Sequence, residues 1–283
     1  MPVLELPDSL VSADWLKLNI DHPQLVVYDA SWHMPASGRD GFEEWKNQRI
    51  KKARFFDFDQ KLCAPGSEFP HMMPDAEHFT AEVQKLGLNN NSVVVIYDSI
   101  GLFSSPRVWW MLKSMGFEQC AVLDGGMPAW LNAGFAIDHD AESNPGDPGD
   151  FVASKVAGDF CDTQAVLAGI GDAGVTILDA RPGERFRGEV EEPRAGLRRG
   201  HMPGALNLPF SELLDRGLMK PKDELKQIFS RKIPAGNRAI CSCGSGITAC
   251  VIAFAAHRIG YEQVSVYDGS WCEWGQPGTL PVE

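Results

Sequence analysis

The most reactive combination in the 283-residue chain is a thiol leading a glycine-rich loop, Cys243-Gly244-Ser245-Gly246-Ile247-Thr248. A short apolar run, 238–242, precedes it, and an almost wholly apolar stretch, 247–261, follows. That order places the thiol at the carboxyl end of a strand and in front of a helix N-terminus. Glycines adopt backbone angles closed to other residues, so successive N–H groups can converge on one point. Converging N–H groups and the helix dipole favour negative charge at the sulfur, and the thiolate is the nucleophile. The chemistry expected is nucleophilic attack by Cys243. A phosphatase loop of the Cys-x5-Arg kind is excluded, because position 249 is Ala249 and no arginine stands between 243 and 257. Nothing in the loop clamps a phosphate dianion bidentately. Cys241 in the strand and Cys250 in the helix read as buried structural thiols.

A second chemical feature is a run of arginines. Residues 181–199 hold six arginines against four glutamates, in a chain of net charge −12. A guanidinium can meet a carboxylate with two parallel N–H groups. Arg181, Arg187, Arg198 and Arg199 read as surface residues paired with Glu189, Glu191 or Glu192. His201, in GHMPGA, reads as structural, its ring bonded to backbone.

The elements that must position these groups are visible as a duplicated pattern. Asp29 in LVVYDASWH and Asp179 in VTILDARPG are 150 residues apart, and Gly116/Gly260, Gly125/Gly269 and Trp130/Trp274 are each 144 apart. The β-branched runs 93–98, 120–126, 175–180, 238–243 and 264–269 have Asp, Gly or Ser within their last two residues, as buried parallel strands often do. Helical patterns over 76–88, 105–117 and 247–261 alternate with them. Strand–helix alternation implies α/β halves, each an open parallel sheet flanked by helices, with ligands at the carboxyl ends of the strands. Residues 138–150 carry five acids, two Pro, two Gly and no Lys or Arg, the composition of a linker. The expected domains are therefore 1–137, the linker 138–150, and 151–283. Trp109, Trp110, Trp130 and Trp274 read as core.

Composition narrows the function classes. An excess of twelve acidic over basic residues argues against nucleic acid as a partner. No apolar run reaches the length of a transmembrane helix, and no signal or transit peptide is visible, so the cytoplasm is the expected location, with no membrane partner. Seven scattered cysteines suit a reducing compartment with one working thiol, and none has zinc-ligand spacing.

LDARPGERFRGEVEEPR (178–194), GHMPGALNLPF (200–210), CGSGIT (243–248) and VYDGSWCEW (266–274) carry a resemblance, joined by FFDFDQ (55–60), PHMMP (70–74) and SSPRVWWM (104–111). Over nearly its whole length the chain resembles the two-domain rhodanese-family sulfurtransferases, within them the branch that uses 3-mercaptopyruvate. The resemblance implies two tandem rhodanese-like domains and transfer of a sulfane sulfur. Cys243 attacks the sulfur of 3-mercaptopyruvate, pyruvate leaves, and the Cys243 persulfide passes its sulfur to a thiol, a thioredoxin or cyanide. No metal or organic cofactor is implied, and the protein is expected to act as a monomer. By the same resemblance the backbone of Gly244, Gly246, Ile247 and Thr248 cradles the persulfide, and Arg185 and Arg194 hold the substrate's carboxylate and keto oxygen. Ser245, His71 and Asp59 form an implied proton relay, with Asp57 a competitor for Asp59.

Rhodaneses that use the thiosulfate dianion resemble C-R-K-G-x-T, whereas Gly244 and Ser245 stand in the two cationic places here. Thiosulfate is therefore the alternative donor, and a sulfur-carrier or redox-sensing thiol protein the alternative class. The N-terminal half has Ser99 where the offset of 144 places Cys243, and RIKKA (49–53) where HMPGA would be. It is expected to be non-catalytic.

Overall fold

Valine-, isoleucine- and leucine-rich runs become the central strands of two sheets of like design. The computed structural model describes residues 3–139 and 147–283. In the N-terminal half, β1 (Leu10–Val11), β2 (Leu25–Asp29), β3 (Arg54–Phe55), β4 (Val93–Tyr97) and β5 (Cys120–Leu123) pair in the order β1-β5-β4-β2-β3, all parallel. In the C-terminal half, β6 (Phe160–Cys161), β7 (Val175–Asp179), β8 (Leu206–Asn207), β9 (Arg238–Ser242) and β10 (Val264–Tyr267) pair in the order β8-β7-β9-β10-β6, again all parallel. Matched strand by strand, the second order is the first read from its other edge. The duplication expected from the 144-residue offset is thus a duplication of topology. The central strands β2, β4, β7 and β9 are covered on both faces, which is why they read as unbroken apolar runs instead of alternating ones.

Ten α-helices flank the sheets among the described residues: α1 (Ala13–Asn19), α2 (Gly41–Asn47), α3 (Ala76–Lys85), α4 (Ser105–Ser114), α5 (Gly126–Asn132), α6 (Thr163–Gly169), α7 (Gly183–Phe186), α8 (Lys222–Lys232), α9 (Ala249–Arg258) and α10 (Ser270–Trp274). The side chains of Ser12, Asp40, Asp75 and Asp162 accept from backbone N–H groups at the starts of α1, α2, α3 and α6. Helices α4 and α9 stop shortly before Gly116 and Gly260, both left-handed. Residues Ala249–Ala256 of α9 are all buried, as its apolar sequence requires.

Trp130 lies in the core of the first half with Val27, Val95 and Leu123, and Trp271 and Trp274 lie in the second with Ile177, Ile240 and Tyr267. Trp109 and Trp110 are buried as well.

Two compact units emerge from the contacts. One is Met1–Pro65 with Met73–Val156, the other Gly66–Met72 with Ala157–Glu283. Of the expected linker, residues 140–146 lie outside the described residues. The flanking segments are tied to the first unit. Asp138 pairs with Arg49 in a short antiparallel ladder, and the N–H groups of Gly149, Phe151 and Ser154 donate to the carbonyls of Gln84, Leu88 and Met115. No described helix is long and apolar enough to cross a membrane.

Candidate active site

Strand β9 delivers Cys243 to the carboxyl edge of the second sheet, and α9 begins six residues later at Ala249. The thiol is nearly enclosed, with Cys243 2 % exposed. Its backbone is locked from the next crossover. The Cys243 N–H donates to Ser270 Oγ at 3.1 Å, and Ser270 Oγ donates to the Tyr267 carbonyl at 2.8 Å. The N–H groups of Trp271 and Cys272 donate to the carbonyls of Cys243 and Gly244. Ser270 holds this post at φ 48°, in the left-handed region that serines rarely occupy.

The two loop glycines do different work. Gly246 sits at φ 76° and supplies the unusual backbone angle expected of both. Gly244 is outside that region, and its missing side chain matters for another reason. A Cβ there would lie 3.2 Å from Arg185 Nη2. Ile247 is buried and Thr248 half-buried at the entry to α9, where their carbonyls accept from Cys250 and Val251.

The six arginines separate into distinct kinds. Arg187 and Arg199 are exposed and paired with Glu189 and Glu191, as surface residues should be. Arg181 departs from that expectation. It is buried, bonded to Asp179, Glu192 and the Gly200 carbonyl, and its guanidinium lies 4.1 Å from the centre of the Trp271 ring. Arg198 is also structural, since it donates to the carbonyls of Leu280 and Trp274. Arg185 uses its Nε and Nη2 on Glu192, at 3.3 and 2.5 Å. Its Nη1 has no hydrogen-bond partner among the described residues. Arg194 is half-buried and makes no ion pair among the described residues. Asp179 and Glu192 thus balance Arg181 and Arg185, and the uncompensated charge of the group is Arg194.

Cys272 reports how closely these groups gather. Burial pushes its thiol to about 11, Arg194 and Arg185 pull it back, and Cys243 and Glu192 push it further. Burial also drives Cys241 well above an ordinary thiol. All seven cysteines are free.

His71 belongs to the same unit as the loop, through the Gly66–Met72 segment. Its Nδ1 lies 3.2 Å from the Ser245 carbonyl. A carbonyl only accepts, so Nδ1 carries the proton, and the neutral ring has its lone pair on Nε2. The backbone there is left-handed, φ 63°, another strained non-glycine position beside the loop. Ser245 is buried, and its hydroxyl has no hydrogen-bond partner among the described residues. Asp59 belongs to the first unit, where its carboxylate accepts from Gln60 Nε2 at 2.8 Å. Asp57 accepts from the Gln60 N–H at 2.9 Å, and burial raises its carboxyl. His201 is structural as expected. It stacks on Phe186, and its Nδ1 meets the Phe186 carbonyl at 2.9 Å.

Two cavities, of about 200 and 360 Å³, open around Ser31 and Arg39 at the carboxyl edge of the first sheet. No cysteine lines either, and Arg39 is already paired with Glu44. Among the described residues, no group of three or more His, Cys, Asp or Glu is placed to hold a metal ion.

A rhodanese-like domain model matches the chain twice, over residues 12–133 and 162–277, each match covering one parallel sheet and its helices. The chain belongs to the rhodanese family. It is 40% identical over 275 residues to the 3-mercaptopyruvate sulfurtransferase of Escherichia coli (strain K12), spanning 96% of this chain and 97% of that one. It is 36% identical over 303 residues to the Arabidopsis thaliana thiosulfate/3-mercaptopyruvate sulfurtransferase 1, mitochondrial, spanning 98% and 78%. The crystal structure of Escherichia coli SseA superposes with a TM-score of 0.84 at 37% identity, covering 93% of this chain and 99% of that one. Two rhodanese-like domains account for the duplicated sheets.

Sequence reasoning missed Ser270 and undervalued Glu192. A signal for Ser270 was present. Its counterpart 144 residues earlier is Gly126, itself at φ 52°, so a glycine in one half marks a left-handed backbone in the other. Glu192 gave no signal, because burial of one glutamate in an acidic segment is invisible to composition.

Proposed function

We propose that the protein is a 3-mercaptopyruvate sulfurtransferase working through a Cys243 persulfide. The observation that carries this reading is the placement of cations. The Arg185 guanidinium, Nη2 foremost, lies beside Gly244, and the unpaired Arg194 shares the neighbourhood of Cys243. A sulfur nucleophile beside a carboxylate clamp suits a small thiol acid.

The Cys243 thiolate attacks the substrate sulfur, and an S–S bond forms as the C–S bond breaks. The bonding pair stays on carbon, giving the enolate of pyruvate, which takes a proton and leaves. Cys243 retains the persulfide, cradled by the N–H groups of the loop residues Gly244, Gly246, Ile247 and Thr248. An acceptor thiolate, such as that of a thioredoxin, then attacks the outer sulfur and restores the Cys243 thiolate. The Ser245 hydroxyl and the His71 ring are the proton-handling groups of this reading. The part of Asp59 in the relay rests on the resemblance alone. The N-terminal domain is the non-catalytic partner, and a cytoplasmic monomer is the form proposed.

The donor decides the reading. With pyruvate and transferred sulfur both counted, 3-mercaptopyruvate should give one of each and should exceed thiosulfate in kcat/KM. The loop offers thiosulfate no side-chain cation, since Gly244 and Ser245 carry none. A preference for thiosulfate would overturn the assignment. Loading of Cys243 by neither donor would favour a carrier or sensor role, against which the unpaired Arg194 argues.

A further inference from the structure

We propose that Glu192 is a positioning residue that fixes the Arg185 guanidinium over the persulfide loop, and that Gly244 is glycine because the guanidinium occupies the side-chain space of that position. This rests on the reading of Arg185 as the carboxylate-binding group.

Arg185 is anchored by one edge only. Nε and Nη2 meet the two oxygens of Glu192, at 3.3 and 2.5 Å, which fixes the plane of the guanidinium. The Nη2 side of the guanidinium faces the loop, with Nη2 at 3.2 Å and Nη1 at 4.0 Å from where a Gly244 Cβ would stand. Glu192 cannot swing away from this task. Its side chain is 2% exposed, and the same oxygen that faces Arg185 Nε accepts from Arg181 Nη1 at 2.9 Å. Arg181 in turn is fixed by Asp179 at the end of β7, by the Gly200 carbonyl and by the face of Trp271. Trp271 begins the turn whose N–H bonds Cys243. The chain Asp179–Arg181–Glu192–Arg185 therefore transmits the rigidity of the sheet to a side chain that is itself 19% exposed.

Neutralising Arg185 with Glu192 also has a chemical use. A bare guanidinium beside the thiol would attract any anion. A guanidinium already balanced on one edge offers two directed N–H groups with little net charge, and selects ligands whose oxygens match that geometry. A side chain at the position of Gly244 would press on the guanidinium at 3.2 Å and push it back from this place. Gly244 thus selects the substrate sterically, in addition to removing a loop cation.

The test is a double-mutant cycle read on two donors, 3-mercaptopyruvate and an alkyl hydropersulfide that lacks a carboxylate, with the ratio of their kcat/KM values as the signal. Arg185→Ala should lower that ratio by roughly ten- to a hundredfold, the loss of a charge-assisted hydrogen bond to a carboxylate. Glu192→Gln should lower it by about tenfold, chiefly through KM for 3-mercaptopyruvate. The combination Arg185→Ala with Glu192→Gln should lie no lower than Arg185→Ala alone, because Glu192 acts through Arg185. Additive losses, or no loss for Glu192→Gln, would overturn the positioning role. An unchanged ratio in Arg185→Ala would instead overturn the carboxylate-binding reading beneath it. Gly244→Ala and Gly244→Val repeat the cycle without touching the buried charges, so the result stands if Glu192→Gln does not fold. Their effect on the ratio should grow with side-chain size and vanish in the Arg185→Ala background.

Discussion

Asp98 and Ser242 occupy the same step of the duplicated fold, each the last residue before a strand-to-helix loop, and they treat that loop in opposite ways. In the first unit the Asp98 carboxylate turns into the loop and accepts from the N–H groups of Ile100, Gly101, Phe103, Ser104 and Ser105, and from the Ser105 hydroxyl. The anion-binding turn that a rhodanese-like domain builds is filled there by the chain itself. Ser99, at the place of Cys243, is tied down as well. Its hydroxyl lies 3.3 Å from Arg39 Nη2 and 3.3 Å from His33 Nε2, both of which also meet Glu44. In the second unit Ser242 is buried, and its hydroxyl has no hydrogen-bond partner among the described residues. No carboxylate is available to fill the loop from that position, and the anion it can take is a sulfur. The inactivity proposed for the first domain would thus rest on more than a missing cysteine. Its cradle is full.

The largest effect expected is from Cys243→Ser, which should abolish sulfur transfer, whereas Cys241→Ser and Cys250→Ser keep most of it. Mass spectrometry after donor treatment should place one added sulfur on the peptide holding Cys243, and sulfur found on another cysteine would break the assignment. Next is Ser242→Asp, which imports the plug of the first domain. The carboxylate should take the loop N–H groups and lower kcat by roughly a hundredfold or more, as loss of a preorganised anion site does. Circular dichroism should show the fold retained. Wild-type turnover in that variant would show that the two loops differ in something other than their occupant.

These two expectations mark what the sequence discloses. The Cys243 loop, strands β4, β5, β7, β9 and β10 and helices α3, α4 and α9 are local patterns of period and composition, and all are where the sequence puts them, whereas the eleven-residue α8 goes unread. The two-residue edge strands β1, β3, β6 and β8 escape, because two residues cannot display a period. Helix α7, a single turn of four residues, escapes for the same reason. Ser270 reaches Cys243 across 27 residues of sequence, and Glu192 acquires its role only when Arg181 is buried beside it. Partnerships of that kind are set by packing of crossovers, which no window of neighbouring residues contains.

A smaller effect should come from Ser270→Gly, which gives the second domain the residue of the first. Glycine relieves the left-handed strain, worth about 1 kcal/mol, but removes the acceptor of the Cys243 N–H. Thermal stability should hold or rise while kcat falls by about tenfold, a trade that purely structural roles do not produce. Equal activity would mean that the backbone of Cys243 needs no support from that hydroxyl.

The smallest effect concerns stability alone. Asp29 and Asp179 end equivalent strands, but Asp179 is paired with Arg181, whereas Asp29 has Ser31 two residues on. Burial raises the Asp29 carboxyl from its ordinary 3.8 to about 6, against hydrogen bonds from Ser31 and Tyr97, with Asp98 pushing it further. The folded state therefore holds this proton more tightly than the unfolded chain does. That contribution is complete below about pH 4 and is lost as the pH rises through 6. Asp29→Asn should stabilise the fold by on the order of 2–3 kcal/mol at neutral pH and by nothing at about pH 4, measured by urea unfolding. Sulfur transfer should not change. A gain independent of pH would mean that the carboxyl titrates as an exposed one does.

The segment Gly66–Met72 leaves the first unit after Pro65, joins the second, and hands the chain back at Met73. With it the two repeats are not interchangeable modules. A break within 140–146 separates most of one repeat from the other but strands this heptapeptide, and with it His71, on the wrong fragment. The fragment bearing Cys243 would have its loop and its arginines, yet nothing to bond the Ser245 carbonyl. Seven residues from the first repeat are thus built into the second. A cut at 140–146 therefore does not divide the protein into its two units.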